Sequence, residues 1–216
     1  MKLRTAAATL AATALLAAGT AAPATAASAQ EGKKLGNRSL AAVLTSDGNK
    51  FDKNPFDYDI VTEAVLAVLA AKPGSAVGVL ADGKTRVTAF IPNDWSFKQL
   101  AKDLTGSKPK TEKATFNALV NAVGVDAIEQ VLLYHVVPGA TITSKMALAS
   151  DGASLTTAQG GDIKVDVLFK RLGLVQLGDL DPNDTDPFLD PGALDINKGN
   201  KQIAHGIIFV LRPLDL

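Results

Sequence analysis

The hydrophobic period changes partway along the chain, and that change limits the folds open to it. Before Gly139, apolar residues recur at helical spacing. Ile60, Ala64, Ala67, Val68 and Ala71 fall near one face, with Val61, Val65 and Leu69 beside it. So much apolar surface predicts a largely buried helix, stopped by Pro73-Gly74. Trp95, Phe97, Leu100, Ala101 and Leu104 predict a second helix ending at Gly106. Phe116 to Val123, closed by Gly124, and Ile128 to Leu133 predict two more. After Gly139 the repeat shortens to two. Ile163, Val165 and Val167 alternate with Lys164 and Asp166, as in a half-buried strand. Leu155–Ala158, Leu172–Leu177 and Ile203–Leu211 read as further strands. Ala76–Leu80 and Thr85–Ile91, joined by Asp82-Gly83, read as a hairpin within the helical half. Helices first and strands later predict an α+β fold.

The N-terminus reads differently. Lys2 and Arg4 precede an Ala-rich apolar segment, then A-x-A patterns at residues 24–26 and 27–29. This predicts a signal peptide over residues 1–29, a flexible lead-in over 30–37 and one domain over 38–216. The product is expected to be secreted, free or held non-covalently at the cell surface. The chain has no cysteine, so neither a disulfide framework nor a lipidated thiol is available. Its formal net charge is +0, slightly negative without Lys2 and Arg4. That balance offers no electrostatic footprint for nucleic acid, and no stable membrane anchor is expected.

Two stretches carry a resemblance. "TAFIPNDWSF" (88–97) resembles the first signature box of fasciclin domains, T-x-F-x-P-x-[ND]-x-x-F, with Thr88, Phe90, Pro92, Asp94 and Phe97 in the matching places. "VLLYHVVPGA" (131–140) resembles the second, a Tyr-His pair followed by an apolar pair and Pro-Gly. "YDIVTEAVLAVLA" (58–70) looks like the family's early helix, and "AHGIIFVLRPL" (204–214) like its closing strand. The resemblance implies helices packed on a wedge of two small β-sheets, with the boxes side by side. It also implies an exported, non-enzymatic module for cell-surface adhesion, or for binding an envelope or extracellular protein or glycan. The alternative it implies is a carrier of a small apolar ligand, lipid or pigment, in a groove beside the helices. The closing strand departs from the pattern: His205 stands where the family carries Asn, and Phe209 where it carries His.

Candidate interaction residues follow from the boxes: Tyr134, His135, Thr88, Asp94 and Trp95. His135 sits at a helix end, where an imidazole N–H can serve an unsatisfied carbonyl. Its ring is expected to bond across to residues 88–94. A catalytic role would need a partner nucleophile, and the sequence offers neither cysteine nor serine in a Gly-x-Ser-x-Gly context. Two histidines cannot build a His-rich metal motif, and no cofactor is expected. The acidic loop "DLDPNDTDPFLD" sets Asp179, Asp181 and Asn183 at alternate positions, with Asp190 beyond. That spacing resembles a calcium loop, although Asp184 stands at the glycine position and two prolines stiffen the segment. A solvated acidic loop is the other reading.

Overall fold

The computed structural model describes residues 34–46, 48 and 50–214. The expected signal peptide and the start of the lead-in lie outside them. The end of the lead-in is pinned: the Gly36 N–H donates to Gly199 O at 2.8 Å, and Lys201 N–H to Gly36 O at 3.0 Å.

Among the described residues there are five α-helices and seven strands, with the longer helices first and most strands later. Helix α1 is Leu40–Leu44, α2 Asp59–Ala71, α3 Asp94–Thr105, α4 Glu112–Tyr134 and α5 Ser144–Ala147. Strand β1 is Val87–Pro92, β2 Val136–Pro138, β3 Ser154–Thr156, β4 Asp162–Phe169, β5 Leu174–Gly178, β6 Phe188–Leu189 and β7 Gln202–Ile208. The α+β expectation holds. The two small sheets do not: the strands form one seven-stranded sheet, ordered β2-β1-β7-β6-β5-β4-β3. The reason is β7. It pairs in parallel with β1 and antiparallel with β6, and so joins the strand of the helical half to those of the second half. The sheet then curls until its rims meet, where Ala158 N–H donates to Val136 O at 2.7 Å.

The expected hairpin at residues 76–91 does not form. Ala76–Ala81 is a 3₁₀ helix, capped by Ser75 Oγ accepting Val77 N–H. The side-chain amide of Gln202 in β7 donates to Val79 O (2.7 Å) and Asp82 O (3.0 Å). Carbonyls bound to β7 in this way are not available to an adjacent strand, and β1 pairs with β7 and β2 instead.

Alternation on β1 builds the core. Val87, Ala89 and Ile91 face the helices, with Ile60, Val68, Leu100 and Leu119. Phe90 faces the interior of the curled sheet, with Ile163, Val165, Val175, Leu177 and Ile207. On β4, Ile163 and Val165 are buried while Lys164 is exposed, as the alternation predicts. Within α4, Gly124 has φ 76° and ψ 169°, which splits the helix into two parts near the predicted boundary.

Candidate functional site

The first box ends in a corner. Pro92 closes β1, since proline has no N–H to continue the ladder. Asn93 then caps α3, its Oδ1 accepting Ser96 N–H at 3.0 Å and the Ser96 hydroxyl at 2.8 Å. Asp94 lies on the first turn and is fully buried. Its N–H donates to Asp57 O, and its Oδ1 accepts Ile60 N–H at 3.0 Å. A carboxyl from α3 thereby satisfies an orphan donor at the start of α2, where Tyr58 at the N-cap makes no side-chain cap bond.

Asp94 stands beside two other carboxyl groups, Asp57 and Glu112, with oxygens within 4.8 Å of one another. Glu112 is buried and ion-paired: it meets Lys98 at 3.2 Å and accepts Asp52 N–H at 2.6 Å. Asp57 Oδ1 and Asp94 Oδ2 are buried without a partner when both groups are ionised. Burial, then the adjoining Asp57, pushes the Asp94 carboxyl up to about 8, and burial raises Asp57 as well. One proton between the two carboxyls satisfies both oxygens.

The second box forms the facing joint. His135 caps α4 and is 5% exposed. Its Nε2 accepts Leu211 N–H at 3.1 Å, so the ring proton resides on Nδ1 and is donated to Val131 O at 2.7 Å. The expected carbonyl is served, but both ring nitrogens are engaged by Val131 and Leu211, and neither bonds to residues 88–94. The ring ties α4 to the chain after β7. The bond to the first box is made by the main chain, with Phe90 N–H donating to His135 O at 2.9 Å. Burial pushes the imidazole down to about 4, so the ring is neutral at pH 7. Tyr134 is fully buried, its hydroxyl donating to Asp162 O at 2.7 Å. Thr88 Oγ1 donates to Ala140 O and accepts Ile142 N–H at 2.8 Å, fastening the chain after the Pro-Gly turn.

Of the five box residues, four are thus buried within the scaffold, and Trp95 is half-buried. Trp95 packs edge-on against Phe209, ring centroids 5.4 Å apart. Phe209 adopts φ 74°, rare for a bulky residue, and its N–H is held by Ser96 Oγ at 2.9 Å. His205 is buried too: Nε2–H donates to Ile142 O at 2.8 Å, and Nδ1 accepts Asp195 N–H at 3.3 Å. Both imidazoles therefore have both nitrogens engaged by backbone groups, a structural use of histidine.

The acidic loop does not fold as the calcium-like spacing predicts. Asp181 turns inward to Arg212, at 3.3 Å. Asp190 accepts Gly192 N–H, and its own N–H donates to Gly206 O of β7. The carboxylates that converge are Asp179, Asp184 and Asp186, with oxygens within 4.8 Å of one another. They border a cleft of about 500 Å³ with Asp162, Asp166 and Asp181. Burial, followed by the neighbouring carboxylates, raises Asp179 to about 6; burial and Asp179 raise Asp184 to about 7. Sequence reasoning missed Asp57, Glu112, Asp184, Asp186 and Arg212. Arg212 carried a signal, a lone cation at the end of an apolar strand, where a charge needs a partner.

A second recess lies between α2, α3 and α4, lined by apolar side chains including Ile60, Phe97, Leu100, Phe116 and Val131. Its volume is about 50 Å³.

The fasciclin domain family model matches residues 63–210, more than half the chain. Among solved structures, a FAS1 domain pair from the insect cell adhesion molecule fasciclin I is similar at a TM-score of 0.51 and 16% identity. The match covers 74% of this chain and 48% of that one, so this chain spans about half the length of the domain pair. No curated protein matches. Both signature boxes and the long early helix α2 fall within the same fold, and the chain belongs to the fasciclin domain family.

Proposed function

We propose that this protein is an exported, non-enzymatic adhesion module that binds a protein partner at the cell surface. Membership in a family known from cell adhesion proteins supports the reading. So does the use of both histidines as backbone ties. The observation that carries it is the tip of the β4–β5 hairpin. Leu168, Phe169 and Leu172 are 45%, 61% and 75% exposed there, interleaved with Lys170 and Arg171. Clustered exposed apolar side chains flanked by cations suit a protein contact. Retention of purified protein on intact cell envelopes tests this. Phe169→Asp with Leu172→Asp should abolish retention while the fold persists. Wild-type protein that remains wholly in the medium refutes the reading.

The apolar recess favours a second reading, a carrier of a small apolar ligand. Its volume of about 50 Å³ falls well below the ~300–1,000 Å³ of small-molecule sites, so loading requires α4 to part from α2 and α3. The backbone break at Gly124 is where that movement can start. Native mass spectrometry of protein from its own host decides: a bare mass removes the idea.

A further inference from the structure

We infer that Asp179, Asp184 and Asp186 form a calcium site at the mouth of the acidic cleft. The inference is independent of the adhesion reading. Carboxylate convergence alone does not carry it. A second observation does: Asp184 has a side chain only 7% exposed, it borders the cleft, and its Oδ1 is buried with no hydrogen-bond partner. The nearby cation does not satisfy that oxygen. Arg212 spends its Nη2 on Asp103 and its Nη1 on Asp181, and its Nε approaches Asp184 through Oδ2 at 2.9 Å. Lys164 on the cleft wall is paired with Asp166 at 2.8 Å.

The remaining two carboxylates are held in place by the backbone. Asp179 Oδ1 accepts Asp181 N–H at 2.9 Å, and Oδ2 accepts Arg212 N–H at 2.7 Å. Asp186 Oδ1 accepts Asp179 N–H at 3.1 Å. Each oxygen keeps a lone pair for a metal, and the bonds fix the carboxylate planes in advance. Oxygens up to 4.8 Å apart fit around a cation with ligands at about 2.3–2.6 Å, the range of calcium. An all-carboxylate donor set is hard and suits calcium, magnesium or manganese better than zinc or copper. The cleft of about 500 Å³ leaves room for the waters that complete the shell. Magnesium demands a tighter octahedron and gives up its water reluctantly, so calcium is preferred. Three carboxylates in an open cleft suit an affinity of about 10⁻⁴–10⁻³ M, as in extracellular modules.

The test titrates calcium chloride into chelator-treated full-length protein, followed by calorimetry and by thermal unfolding, with magnesium chloride alongside. Terbium supplies a second readout, because the Tyr134 hydroxyl bonds the main chain of Asp162 on the cleft wall and its ring can serve as the antenna. Calcium is expected to raise Tm and to displace terbium emission. Asp186→Asn keeps an oxygen for Asp179 N–H, so it should fold, and it should weaken calcium by about tenfold or more. Asp94→Asn, in the other carboxyl cluster, should leave binding unchanged. Saturation absent at about 10 mM calcium overturns the inference. So does an undiminished affinity in Asp186→Asn, or an equal loss in Asp94→Asn.

Discussion

Replacing Asp94 with asparagine tests the buried carboxyl pair. The wild-type group is fully buried, accepts Ile60 N–H on Oδ1, and adjoins Asp57 through an oxygen that has no partner unless a proton is present. With the folded-state value near 8 against an ordinary 3.8, the native state holds a proton that the unfolded chain releases. The native state binds more protons throughout that window, so stability falls as pH rises from about 4 to 8, at about 1.4 kcal/mol per unit. Asparagine has the same shape as the protonated acid. Its carbonyl still accepts Ile60 N–H and its amide donates toward Asp57, with no proton to hold. Between pH 5 and pH 7 the stability of Asp94→Asn should therefore rise by about 3 kcal/mol relative to wild type. Urea unfolding at pH 5, 6 and 7, followed by circular dichroism and by the single tryptophan, Trp95, measures it. Titrations elsewhere are common to both proteins and cancel. Parallel stability–pH curves would refute the shared proton.

His135→Gln should destabilise by about 2–5 kcal/mol at pH 7, because Val131 O and Leu211 N–H lose buried partners; chemical denaturation reads the cost. The sign of its pH effect is opposite to that of Asp94. The folded imidazole is depressed to about 4, the unfolded chain binds the extra proton, and wild type should lose stability relative to His135→Gln as pH falls from about 6.5 to 4. Arg212→Met should cost about 3–5 kcal/mol by leaving Asp181 and Asp184 buried without their cation, visible as a lower urea midpoint. Tyr134→Phe removes one bond to Asp162 O and should cost about 1 kcal/mol in urea while envelope retention is unchanged, since the ring is buried. Gly206→Ala should destabilise by about 1–3 kcal/mol in the same assay: a Cβ there would lie 2.5 Å from Tyr58 Oη and 2.6 Å from Ala193 Cβ.

Periodicity found the elements that bury one face and missed what depends on distant partners. The β4 alternation and the α3 stripe could be read locally, because each reports its own burial. Ala76–Leu80 is apolar enough for a strand, yet it coils because its carbonyls are taken by Gln202, which no local pattern reveals. The joint of the two boxes was legible as adjacency but not in its atoms. The sequence places His135 at a helix end, whereas the choice of Leu211 over the first box depends on where β7 leaves the sheet. The acidic loop shows the same limit. Alternate spacing singled out Asp181 and Asp190, and the fold instead gathered Asp184 and Asp186, because Arg212 draws Asp181 inward and β7 holds the backbone of Asp190.

The parallel pairing of β1 with β7 bears on how the molecule assembles. Val87 lies opposite Gln202, so the central ladder closes a very long loop, and such contacts form slowly. During synthesis the helices and β1 emerge well before β7. Until Gln202–Ile208 arrives, β1 keeps its buried-to-be edge open to other chains. A chain halted before β7 therefore carries an open central edge, which makes the half-made molecule an aggregation hazard.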